Sequence, residues 1–120
     1  MREKRRDARF KCEFPGEVRV LATPDETPVP EETFRCTATN VSGGGTRVAL
    51  VTHKFLPVDT VAEIRLNCGG LFKRFRFIGV ARSVRRGVNA RSAIIGFDIS
   101  PSKTRTLTAW QKFLAKVFEG

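Results

Sequence analysis

Histidine is almost missing from this chain: His53 is the only one, so no histidine cluster is available to bind a metal, and the residue reads as a surface side chain. Cysteine is scarce as well. Cys12, Cys36 and Cys68 are odd in number and far apart, which argues against a disulfide framework and against a zinc knuckle. They read as small reduced residues, Cys36 on an apolar strand face and the other two near strand ends, as expected in a reducing cytoplasm. No apolar run approaches the ~20 residues of a membrane span. The start, Met1-Arg2-Glu3-Lys4-Arg5-Arg6, is charged and lacks the apolar stretch of a secretory signal. Catalytic signatures are missing too. Ser42 sits in no G-x-S-x-G elbow and has no evident base partner. The glycine run 43–45 does not lead into the Gly-Lys-Ser/Thr of a phosphate loop, and no helix follows it. The acids show no spacing that suggests a catalytic pair. A binder without a cofactor, and not an enzyme, is expected.

What is present points the same way. A chain of 120 residues suggests one domain, and 41% hydrophobic residues with ten phenylalanines suffice for a core without staples. The net charge of +10 is unevenly spread. Residues 1–11 carry six Arg or Lys against Glu3 and Asp7, and residues 72–91 carry seven with no acid. Residues 21–33 carry four acids and no base. Two basic segments that meet in a fold would make a face that attracts anions.

Taken in order, Phe10 to Phe14 is mixed, and Pro15-Gly16 predicts a turn or strand break. Val18 and Val20 share one face of a strand over 17–21. The acidic stretch 22–33, with three prolines, predicts an exposed loop. Phe34, Cys36 and Ala38 mark the next strand, and Val48 and Leu50 the one after it. Between them Asn40-Val41-Ser42-Gly43-Gly44-Gly45 is expected to be a polar turn, over which another molecule can approach the main chain. Residues 60–67 form a further strand, in which the spacing from Val61 to Ile64 suggests a bulge. In 71–84, Phe75, Phe77, Gly79 and Ala81 alternate with Arg74, Arg76 and Arg82, which places the rings inside and the arginines outside. Ala93, Ile95, Phe97 and Ile99 line one face of the last strand, where Gly96 allows close packing of a neighbour. The period then changes. Ser100-Pro101 predicts a helix start, and Leu107, Trp110, Leu114 and Val117, widened by Phe113 and Phe118, predict a helix over about 102–118. About six strands without βαβ alternation imply an antiparallel barrel or sandwich closed by a helix.

Two short motifs carry the functional reading. Arg5 and Arg9 stand four apart, and guanidinium groups pair with phosphate oxygens, with the O6 and N7 of guanine and with purine faces. Some 30 residues on come Asn40, Ser42 and Gly45. Together they resemble the PilZ domain family, whose motifs are Arg-x-x-x-Arg and Asp/Asn-x-Ser-x-x-Gly and whose members bind the bacterial second messenger cyclic di-GMP. Gly96-Phe97 is loosely similar to the family's Gly-x-x-Phe region.

The resemblance implies an all-β fold: a six-stranded antiparallel β-barrel of the PilZ-like, split-barrel type with a C-terminal α-helix. It implies that residues 1–11 form a flexible arginine-rich arm on a single domain over 12–120, and that the arm orders over a messenger lying on the outer barrel surface. Arg5 and Arg9 would contact phosphates and a guanine, with Arg6 auxiliary. Asn40 and Ser42 would hydrogen-bond a guanine or phosphate, and Gly45 would keep the surface clear. In this family the residue before the first arginine, here Lys4, influences whether one or two messengers bind, and both numbers stay open. The expected role is a cytoplasmic receptor that relays the signal to a protein effector. Two other readings stand beside it. One is a basic nucleic-acid-binding barrel using Arg74, Arg76, Arg82, Arg85 and Arg86, although nucleic acid is not the expected partner. The other is a PilZ-like interaction domain that binds no nucleotide.

Overall fold

Hydrophobic alternation with a period of two recurs in six segments, and each of them is a strand. The computed structural model describes residues 9–25, 32–42, 45–69, 73–89, 91–100 and 104–118, with side chains in the final helix described from residue 108 on. The strands are β1 (Arg9–Ala22), β2 (Thr33–Ser42), β3 (Arg47–Thr52), β4 (Val61–Asn67), β5 (Arg74–Arg86) and β6 (Ala93–Ser100), followed by helix α1 (Thr104–Phe118). They close into an all-antiparallel barrel in the order β1-β2-β3-β6-β5-β4. Closure leaves no strand edge to be protected from association.

The inward positions are those the alternation predicts. Val18 and Val20, Phe34, Cys36 and Ala38, Val48 and Leu50, Phe77 and Ala81, and Ala93, Ile95, Phe97 and Ile99 are all buried. Three local expectations are corrected. Pro15-Gly16 does not break the chain: β1 runs through it, pairing with β2 from Arg9 to Arg19 and with β4 from Gly16 to Ala22. Pro15 is the last β1 residue before β4 joins, so a missing donor on that side costs no ladder bond. Gly16 is required where the strands converge, since a Cβ there would collide with the Arg65 carbonyl oxygen and stand 2.9 Å from Leu66 Cδ2. The bulge expected in β4 lies instead in β1, between Val20 and Ala22, while β4 pairs with β5 without a break and turns Ala62, Ile64 and Leu66 inward. Finally, Asn40, Val41 and Ser42 belong to β2 and not to the glycine turn, and Arg9, Phe10 and Lys11 belong to β1 and not to an arm.

Helix α1 closes one end of the barrel. Trp110 and Leu114 are buried in the core, as their spacing predicts. Val117 instead is 48% exposed, and the packing falls to Phe113 and Phe118. Ser100 ends β6, paired with Ile78; the expected helix start at Pro101 and the Leu107 side chain lie outside the described residues. The Trp110 ring lies 4.9 Å from Phe75 and 5.0 Å from Phe77, and Phe113 lies 5.9 Å from Phe14. Phe10 stacks on Phe118 at 5.0 Å with an interplanar angle of 8°. A fully buried indole needs an acceptor, and Trp110 Nε1–H donates to the Gly45 carbonyl at 2.9 Å. No helix among the described residues is long and apolar enough to cross a membrane.

All three thiols are free. Burial pushes Cys36 up to about 12, with the charge of Glu17 adding to it. Burial also raises Cys68 to about 12, with Cys12 contributing, and raises Cys12 to about 11 against the lowering effect of a hydrogen bond donated by the Phe14 backbone. The native state therefore holds these protons more tightly than the unfolded chain does. The stability this supplies is complete below the ordinary thiol value of 9.0 and is lost as pH rises through 11 to 12.

Two predictions follow from this packing. Trp110→Ala removes the plug and costs about 3–5 kcal/mol in urea unfolding; a loss under 1 kcal/mol would contradict the packing described. Folded protein at pH 8 reacts slowly with a thiol reagent and denatured protein reacts fast, while the urea midpoint falls only above about pH 9; rapid labelling of all three thiols in the folded state would contradict it.

Candidate functional site

The β3–β6 ladder is regular, with six consecutive pairs from Arg47↔Asp98 to Thr52↔Ala93. Each flanking ladder carries an irregularity, between Ala38 and Asn40 in β2 and between Ala81 and Ser83 in β5. Thr39 and Asn40 thus stand together between the buried Ala38 and Val41. Arg82 and Ser83 stand together, exposed, between the buried Ala81 and the half-buried Val84. A bulge bends its strand and re-aims a side chain. The result is a level floor between two curled walls: a groove of about 510 Å³ lined by Arg9, Asn40, Ser42, Ala49, Gly96 and Ser83, and also by Arg47, Arg82, Arg85 and Asp98.

The register explains how the two motifs meet. Arg9 pairs directly with Ser42, and Lys11 with Asn40. Arg9, Asn40 and Ser42 therefore line one groove although some 30 residues separate the motifs in sequence. Arg5 and Arg6 lie outside the described residues, as do Gly43 and Gly44. Ser42 is 8% exposed. Its Oγ accepts the Thr46 N–H at 3.2 Å and the Arg47 N–H at 3.1 Å, and its carbonyl accepts the Gly45 N–H at 2.9 Å. The hydroxyl thus closes the turn and still has its own proton to donate. Gly45 has a different task from the one expected. Its φ of +73° suits glycine, and a Cβ there would stand 2.9 Å from the Trp110 ring. It is buried beneath α1 and does not line the groove.

Arg47, Arg82, Arg85 and Asp98 are groove residues that neither motif contains. Arg82 Nε reaches Asp98 Oδ2 at 3.1 Å and its Nη1 reaches Asp59 Oδ1 at 3.2 Å. Arg47 Nε lies 3.5 Å from Asp98 Oδ1. The signal for Arg82 was its place on the outward face of β5; for Asp98 there was none, because its partners are 51 and 16 positions away in sequence. Four guanidinium groups against one carboxylate make the lining cationic. The arginines expected to form one nucleic-acid stripe divide instead. Arg82 and Arg85 face the groove, while Arg76 joins Arg19 and Arg65 around the buried carboxylate of Glu63, at 3.9, 3.6 and 3.2 Å. His53 is exposed, with its ring 6.4 Å from Phe34.

No protein-family model matches the chain, and no curated protein matches it in sequence. Among solved structures it is similar to the Bacillus subtilis inhibitor of motility MotI/DgrA, with a TM-score of 0.63 over 91% of this chain and 13% identity. The likeness covers 48% of that protein, so this chain spans about half its length, and at such identity it establishes the fold alone.

The turn geometry makes Ser42→Ala a structural change as well as a site change. It strands two backbone donors and lowers unfolding free energy by about 1–2 kcal/mol in urea titration, with no ligand present. Unchanged stability would show that the hydroxyl does not hold the turn.

Proposed function

We propose that this chain is a PilZ-like receptor domain that binds cyclic di-GMP in the β3–β6 groove and relays the bound state to a protein partner, without catalysis of its own. The observation that carries the proposal is the Arg9↔Ser42 pair, which brings Arg9, Asn40 and Ser42 to one cationic groove. A cyclic dinucleotide offers two phosphodiesters and two guanines, and guanidinium groups serve both. Arg9 engages a phosphate, and Asn40 and the Ser42 hydroxyl engage a guanine or phosphate. Arg5 is four residues before Arg9, a reach of at most ~14 Å of extended chain, so Arg5 and Arg6 act from the segment that closes over the ligand. Ordering that segment changes the surface offered to an effector. The similar solved protein is an inhibitor of motility, which agrees with a regulatory rather than a metabolic role.

Calorimetry tests the proposal. The folded protein takes up one or two cyclic di-GMP molecules per chain, with heat evident at ~100 µM ligand, well above a micromolar Kd. Arg5→Ala and Arg9→Ala each weaken binding by about 1–3 kcal/mol. No heat from folded protein would refute the proposal. Oligonucleotide binding that is tighter, and falls steeply with salt, would favour the nucleic-acid reading instead.

A further inference from the structure

The groove contains one acidic side chain, Asp98, in a lining otherwise suited to anions. Its neighbours explain what it can do there. Ala49 pairs with Gly96 and Gly96 with Ser83, so three small residues form one row across β3, β6 and β5. Gly96 leaves room for the Ser83 hydroxyl, since a Cβ there would stand 2.5 Å from Ser83 Oγ and turn it aside. Such a row is a shelf on which a planar ring can lie. Asp98 is two residues along β6, on the same face and about 7 Å away, where the edge of that ring would fall. Its two oxygens are each held by one guanidinium: Oδ1 by Arg47 at 3.5 Å and Oδ2 by Arg82 at 3.1 Å. Arg82 is braced from behind by Asp59 at 3.2 Å, a residue in the left-handed region at a φ of 76°. A carboxylate has about four acceptor positions, so two ion-pair contacts leave each oxygen with capacity to accept a further hydrogen bond.

We propose, on the basis of the cyclic di-GMP reading, that Asp98 is the residue that selects guanine. Guanine alone among the bases presents two adjacent donors, N1–H and the N2 amine, which match one further hydrogen bond to each oxygen. Adenine has an acceptor at N1 and no N2 amine, and a carboxylate repels it. Arg47 and Arg82 aim the carboxylate.

The test is to titrate wild-type protein and Asp98→Asn with cyclic di-GMP, cyclic di-AMP and the inosine analogue that lacks N2, with Asp98→Glu as a charge-preserving control. Wild type prefers guanine over inosine by about tenfold to a hundredfold, as for loss of a hydrogen bond to a charged group. In Asp98→Asn that ratio collapses toward one and discrimination against adenine shrinks, while the melting temperature stays near wild type. Asp98→Glu retains a guanine preference. If Asp98→Asn lowers affinity for all three ligands by one common factor, Asp98 only spaces its arginines and the proposal is overturned. If the ratios do not change at all, it is likewise overturned, although the functional reading survives. Wild type that binds no cyclic di-GMP overturns the functional reading itself, and this proposal with it.

Discussion

The hydrogen bond from the Trp110 indole to the Gly45 carbonyl, 2.9 Å long and fully buried, is the constraint on which both core and site depend. On one side it anchors α1 over the open end of the barrel, where Phe75 and Phe77 would otherwise face water. On the other it fixes the turn that Ser42 closes through two backbone amides. Phe118, from the same helix, stacks on Phe10, the residue next to Arg9. The helix therefore touches Gly45 of the second motif and the neighbour of Arg9 without entering the groove. Any side chain at position 45 would have to displace the indole, so a residue that resembles a ligand contact in sequence is held there by packing.

The groove itself is a product of sheet mechanics. A barrel wall is convex, and a hollow on its outside requires strands that depart from regular pleating. Here the regular β3–β6 ladder is flanked by irregularities in β2 and β5. Each sets two successive side chains on the outer side, which supplies Asn40 to one wall and Arg82 to the other. Charge follows from this placement. The groove gathers Arg9, Arg47, Arg82 and Arg85 around a single carboxylate. The opposite situation holds at Glu63, where one buried carboxylate is surrounded by Arg19, Arg65 and Arg76 and the arginines serve to neutralise it.

The fold was largely legible because alternation is local. Ala93, Ile95, Phe97 and Ile99 announce their burial within one strand, and the rings at 75 and 77 do the same. Pro15-Gly16 misled because the cost of a proline depends on whether another strand has yet joined that edge, which is a property of β4 and not of β1. Val117 misled because a helix end beside a barrel rim buries whichever ring reaches furthest, here Phe118. The site was half legible. Arg9, Asn40 and Ser42 carry motif spacing, while Arg47, Arg82 and Asp98 are joined only by register across three strands and by one bulge. No window of sequence contains that information.

Backbone amide NMR during a cyclic di-GMP titration tests the central claim, that the groove over β3 and β6 is where an anionic dinucleotide rests. The account predicts saturable shifts concentrated at Arg9, Asn40, Ser42, Arg47, Gly96 and Asp98, with little change at Arg19, Glu63 and Arg65. Shifts centred on the Glu63 side of the barrel, or no saturable shifts in a well-dispersed spectrum, would contradict it.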